Sequence, residues 1–172
     1  MKNNKVRFIT YGALVAALYA ALSLVLWSVA FTPIQIRPAE GLMVLPIFFP
    51  FSVMGLFVGC IITNIFSPYG ILDVICGSSA TLLAAILIYL FGKRVENLVY
   101  RCIVCPFIAV IVNAAIVGAV LFATQTPEGQ IYSYMFFFWE IFLSEAISAY
   151  LIGVPLTIFL QKKIIKAGEP QL

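Results

Sequence analysis

Apolar stretches run from 8 to 31, 39 to 66, 71 to 91, 103 to 124 and 136 to 161, and each is bounded by charged or Pro/Gly-containing sequence. A helix crosses the hydrocarbon core with about 20 apolar residues, so a plain count predicts five spans. The polar positions contradict that count. Nine of the ten basic residues fall in three groups: Lys2, Lys5 and Arg7, then Lys93, Arg94 and Arg101, then Lys162, Lys163 and Lys166. Short basic loops stay on the cytoplasmic side, so the three groups belong on one face. Five spans put three crossings between the first group and the second, which is the wrong parity.

The stretch from 39 to 66 resolves the conflict if it crosses twice. Pro46 and Pro50 lie within it, and each removes a backbone donor and favours a break. Both arms are then short for a full span, so the first arm is expected to be a partial helix shielded by neighbouring helices. The prediction is an all-α integral membrane protein, one membrane-embedded domain over residues 1–172. Its six transmembrane helices form a compact bundle with a short broken hairpin as the second and third helices. Both termini are placed in the cytoplasm, with outer loops near 32 to 38, 67 to 70 and 125 to 135.

Composition agrees: 63% of residues are hydrophobic, 10% are charged and the mean hydropathy is +1.11. A water-exposed surface typically needs about a quarter charged residues, so a soluble fold is excluded. The net charge of +3 is explained by the cytoplasmic anchors and calls for no nucleic acid. The apolar run after the basic start is too long for the ~7 to 15 residues of a signal core. Ser28-Val29-Ala30 is therefore read as part of a retained first span, although it resembles a cleavage site. With no histidine in the chain and a single C-x-x-C, Cys102 and Cys105, no zinc site is predicted and the cysteines read as packing residues.

The acids are distributed unevenly. Glu40, Asp73, Glu128, Glu140 and Glu145 lie on or dip inward from the outer face, whereas Glu96 and Glu169 are cytoplasmic. Arg37 and Glu40, three apart at the hairpin entrance, are spaced to pair. They either cap the hairpin or turn the same charges toward a cavity. Asp73 opens the fourth span, where a carboxylate also suits a helix N-terminus. Glu145 lies about ten residues into the last span, hence about 15 Å deep. Asn113 reaches a similar depth in the fifth. Two polar groups at mid-bilayer, one ionisable, read as a functional cluster. Glu140 is rotated by about 140° from Glu145, and which of the two faces a ligand stays open. Trp139 belongs either to an interfacial aromatic belt or to a face for a flat ligand.

Small residues repeat at four-residue spacing in the first span, as Gly12, Ala16 and Ala20 and, one position over, Ala13, Ala17 and Ala21. Such a ridge lets another helix pack closely, whether from this chain or a partner. No phosphate-binding loop and no serine–histidine or zinc-protease constellation occurs, so if the chain transports a solute, the energy comes from an ion gradient or another subunit.

A six-span chain of this size with an alanine ridge in its first helix resembles the substrate-binding components of energy-coupling factor transporters. More narrowly, Ile34-Gln35-Ile36-Arg37-Pro38-Ala39-Glu40-Gly41-Leu42-Met43-Val44-Leu45-Pro46 resembles the hallmark segment of the queuosine precursor transporter family. The segment from Gly70 to Ala85, the Asn113-Ala114 step and Glu145 extend the likeness over nearly the whole chain, with Pro38 a departure from a small polar residue. The resemblance implies capture of a 7-deazaguanine base, a queuosine precursor or queuine, from outside. It implies a membrane coupling subunit and two ATPase subunits as partners, and no catalysis or cofactor. The expected substrate-binding residues are Arg37, Glu40, Asn64, Asp73, Asn113, Trp139, Glu140 and Glu145; Gly12, Ala13, Ala16, Ala17 and Ala20 are expected to meet the partner. Two rival readings are a self-sufficient proton-coupled carrier in which Glu145 titrates, and a scaffold without a ligand. The buried acids disfavour the scaffold.

Overall fold

The computed structural model describes residues 2–26, 36–125 and 134–167. Among them there is no strand, and the helices are α1 (Lys2–Val25), α2 (Pro38–Ile47), α3 (Phe51–Asn64), α4 (Asp73–Arg94), α5 (Leu98–Gln125) and α6 (Tyr134–Ala167). α1, α4, α5 and α6 are long and apolar enough to cross a membrane; α2 and α3 are the two short apolar helices. The stretch from 39 to 66, expected to cross twice, is folded as a broken hairpin of two short helices.

Prolines shape that hairpin. Arg37, held extended at φ −106° and ψ 95° as a residue before proline prefers, leads into a 3-10 helix with Pro38 in its first turn. Ten residues at about 2.0 Å per residue carry the chain about 20 Å. Pro46 and Pro50 then bracket the break, and Pro50 starts α3 with helical dihedrals. α2 is buried along most of its length and packs against α4 and a π-helical turn of α6, Ala149–Gly153. The approach is close enough that a Cβ on Gly41 would lie 2.5 Å from Ile152 Cβ.

The break lies at the end of the bundle that carries the basic groups. The Phe51 ring meets Phe8 edge-on and Tyr11 at a tilt near the start of α1, with centroids 6.1 and 5.5 Å away. Ile47 packs on Gly92, next to Lys93 and Arg94, and the Arg101 guanidinium lies 5.7 Å from the Phe48 ring centroid. Gln161, beside Lys162 and Lys163, accepts a hydrogen bond from Arg101. All three groups thus share one end, as the parity argument requires.

Arg101 itself departs from its reading as a surface anchor. It is 1% exposed and donates to the carbonyls of Val95 at 2.6 Å and Gly92 at 3.0 Å as well as to Gln161 Oε1 at 3.3 Å. It closes the C-terminal end of α4, where carbonyls lack helical partners, and ties α5 to α6.

The ridge of small residues on α1 is divided. Gly12, Ala16 and Ala20 are buried, whereas Ala13 and Ala17 are exposed. Gly55 and Gly59 of α3 meet the buried row so closely that a Cβ would come within 2.6 Å of the Gly12 carbonyl oxygen and 2.8 Å of the Ala16 carbonyl oxygen. Gly12, Ala16 and Ala20, three of the residues expected to meet a partner, are thus buried, and Gly12 and Ala16 take part in an internal α1–α3 seam, because backbones approach this closely only where side chains are small. Outward-facing Leu14, Leu143 and Leu151 give the bundle the apolar exterior that lipid demands.

Candidate functional site

At the end opposite the basic groups, α1, α2, α3, α4, α5 and α6 each contribute to one buried polar network. Arg37, at the mouth of α2, places Nη2 3.4 Å from Asp73 Oδ2 and donates from Nη1 to Asn64 Oδ1 at 3.4 Å. Asn64 is held by its other end: Nδ2 donates to the Asp73 carbonyl at 3.0 Å and to Cys60 Sγ at 3.4 Å. Thr81 donates to the same sulfur at 3.2 Å. Asp73 opens a π-helical turn, Asp73–Gly77, a feature that often marks functional sites. Gly77 lets that turn close, since a Cβ there would sit 2.7 Å from Asp73 Oδ1 and 2.8 Å from Asn64 Nδ2.

The second half of the network is built on Glu40, one turn into α2, whose amide N–H donates to the Arg37 carbonyl at 2.9 Å. Tyr19 of α1 donates its hydroxyl to Glu40 Oε1. Asn113 of α5 donates from Nδ2 to Glu40 Oε2 at 3.3 Å and to Glu145 Oε1 at 3.1 Å. Every one of Arg37, Glu40, Asn64, Asp73, Asn113 and Glu145 is at most 5% exposed.

Two properties make this more than a structural brace. One guanidinium faces three carboxylates, Glu40, Asp73 and Glu145, so the formal charge of the cluster is negative. Moreover Glu145 Oε2, Asn113 Oδ1, Asp73 Oδ1 and Ser78 Oγ are buried without a hydrogen-bond partner among the described residues. Each such atom costs about 1–3 kcal/mol unless something donates to it. The site offers a ligand mostly acceptors, three of them pure acceptors, so it suits a molecule rich in N–H or cationic groups.

Of the residues expected at the site, Arg37, Glu40, Asn64, Asp73, Asn113 and Glu145 are brought together. Trp139 and Glu140 are not: Trp139 is 55% exposed and packs edge-on against Phe138 and Phe142, and Glu140 is only half-buried. Five residues of helix rotate Glu140 away from Glu145, so only one of the pair can face the bundle interior. Sequence reasoning missed Tyr19, Thr81, Ser78 and the role of Cys60. Tyr19 carried a readable signal, because a hydroxyl in mid-span has to find an acceptor.

Outside the network, α1 and α3 form an apolar groove of about 320 Å³ whose lining includes Gly12, Ala13, Ala16, Met54, Gly55 and Val58. Ala13, from the exposed row of the α1 ridge, thus lines a concave surface.

The QueT transporter family model matches residues 9–162, which takes in every member of the polar network and all but the outermost ends of α1 and α6. The chain belongs to the QueT transporter family. Membership makes the protein a membrane transporter, in agreement with its four long apolar helices. Comparison with curated proteins and with solved structures gave no match. For this QueT family member the residue roles therefore rest on the geometry above.

Proposed function

We propose that the protein is the substrate-binding subunit of an energy-coupling factor importer and captures a queuosine precursor or queuine, a 7-deazaguanine base, from outside the cell. Family membership supports transport of this class. The observation that carries the reading is the Asn113 amide, whose hydrogens go to Glu40 and Glu145 and leave Asn113 Oδ1 and Glu145 Oε2 as acceptors. A guanine-like edge offers adjacent donors, its ring N–H and exocyclic amine, which match two acceptors. An aminomethyl substituent adds a cation, which the surplus of carboxylates favours. Binding and orientation are all that this chain performs; energy comes from a membrane coupling subunit and two ATPase subunits. The basic end faces the cytoplasm with both termini, as positive-inside placement directs.

Titration of the purified protein tests the reading. 7-Deazaguanine and its aminomethyl derivative are expected to bind, whereas riboflavin and thiamine do not. Failure of both deazaguanines, or equal binding of all four, overturns it. The coupling surface is assigned to the α1–α3 groove, lined in part by the exposed Ala13. Ala13→Leu should abolish uptake in cells while ligand affinity of the isolated protein stays within about twofold, since exposed substitutions change stability by about 0.5 kcal/mol or less. Normal uptake in that variant removes the groove from the docking surface.

A further inference from the structure

Asn113 has a donor end and an acceptor end of nearly equal size, and what the ligand meets depends on which way the amide is turned. Its neighbours decide. Glu40 Oε2 and Glu145 Oε1 lie 3.3 and 3.1 Å from Asn113 Nδ2, and carboxylate oxygens only accept, so the NH2 end is held between them. Glu40 can serve in this way only while its own carboxylate is anchored, and that anchor is the Tyr19 hydroxyl on Oε1. Tyr19 is fully buried and wedged in the glycine-tight seam, where a Cβ on Gly59 would lie 2.9 Å from Tyr19 Cβ.

We propose that Tyr19 is a positioning residue that sets the hydrogen-bond polarity of the binding site. Through Glu40 it keeps the Asn113 carbonyl, and not the amide NH2, available to the ligand, and so selects a donor edge over an acceptor edge. The proposal rests on the 7-deazaguanine reading above and assigns selection of the exocyclic amine to a residue that does not touch it.

The test compares two neutral bases, 7-deazaguanine and 7-deazahypoxanthine, which lacks the exocyclic amine. The readout is the ratio of their affinities, which a loss of general packing leaves unchanged. Wild type is expected to favour 7-deazaguanine by about tenfold or more, the worth of one buried hydrogen bond. Tyr19→Phe keeps the ring and removes the anchor, and the ratio should fall by about threefold or more. In Glu40→Gln, Tyr19 still donates to the Gln oxygen and so turns the Gln NH2 toward the Asn113 NH2. Two donors then face each other, and the ratio collapses toward one. Combining Tyr19→Phe with Glu40→Gln frees the Gln side chain to rotate and present its oxygen to Asn113, so the double variant should regain a ratio within about threefold of wild type.

Recovery in the double variant supports the proposal, since no structural role of Tyr19 makes a second lesion repair the first. A double variant no more selective than Glu40→Gln overturns it. So does an unchanged ratio in either single variant, and the Glu40→Gln arm decides even if Tyr19→Phe does not fold. Failure of wild type to bind either base is a different result, which removes the deazaguanine reading itself.

Discussion

The two ends of the bundle each bury an arginine, and they use it in opposite ways. Arg101, at the basic end, donates to two backbone carbonyls and a glutamine oxygen, at 2.6, 3.0 and 3.3 Å, where α4, α5, α6 and the Phe48 ring converge. These three acceptors are neutral and belong to the scaffold. Arg37, at the other end, faces Asp73 and Asn64 at 3.4 Å each, and the network around it contains four polar atoms without a partner among the described residues. A buried cation closed on carbonyls fastens helices together. A buried cation amid surplus carboxylates and leftover acceptors leaves bonding capacity for a ligand.

Replacing the scaffold arginine should have the largest effect. Arg101→Leu strips the donor from three buried or half-buried oxygens, at about 1–3 kcal/mol each, and is expected to lower stability by about 3 kcal/mol or more. Thermal unfolding in detergent checks it. If Arg101→Leu melts like wild type, the contrast between the two ends is wrong.

Glu145→Gln comes next and acts on binding. The Gln oxygen still accepts from Asn113, so the fold stands, but the charged acceptor is gone. Ligand affinity should drop by about one to two decades, the worth of a charge-assisted hydrogen bond, with little change in melting temperature. Calorimetry beside a melting curve separates the two quantities, and near-wild-type affinity would take Glu145 out of the site.

Gly77→Ala sharpens the comparison within the site. The added methyl would sit 2.7 Å from Asp73 Oδ1 and 2.8 Å from Asn64 Nδ2 and must displace both. Affinity is expected to fall about threefold to tenfold, in keeping with an overpacking cost near 1 kcal/mol. An affinity equal to wild type would show that the Asp73 half of the network does not meet the ligand. The smallest effect belongs to Glu140→Gln. Half-buried and outside the network, it should change affinity by about twofold at most; a tenfold loss would mean that the site extends to the outer end of α6.

How much of this was legible in advance depends on which coordinate is asked for. Position along the membrane normal is nearly one-dimensional information. Basic clusters mark one face, residue counts set depth, and prolines mark the break, so the hairpin between Pro38 and Asn64, the shared basic end and the common level of Asn113 and Glu145 all follow from spacing. Family membership adds transport, because long matched segments carry it without any coordinates.

Rotation about the helix axes is different, since it depends on how every other helix packs. Glu140 and Glu145 differ in depth by about 7.5 Å, which counting gives, but only the packed bundle shows which of them turns inward. Spacing alone could not tell the buried row Gly12, Ala16 and Ala20 from the exposed Ala13 and Ala17; the glycines of α3 made that choice. Arg101 looks from its neighbours like one more cytoplasmic anchor, and it became a buried clasp because α4 ends beside it with unpaired carbonyls. Tyr19 joined the site because α1 and α3 approach closely enough to carry its hydroxyl to Glu40. Depth is a sum over the residues of one helix, which a sequence contains; the direction a side chain faces is a property of the helices around it, which only the tertiary structure supplies.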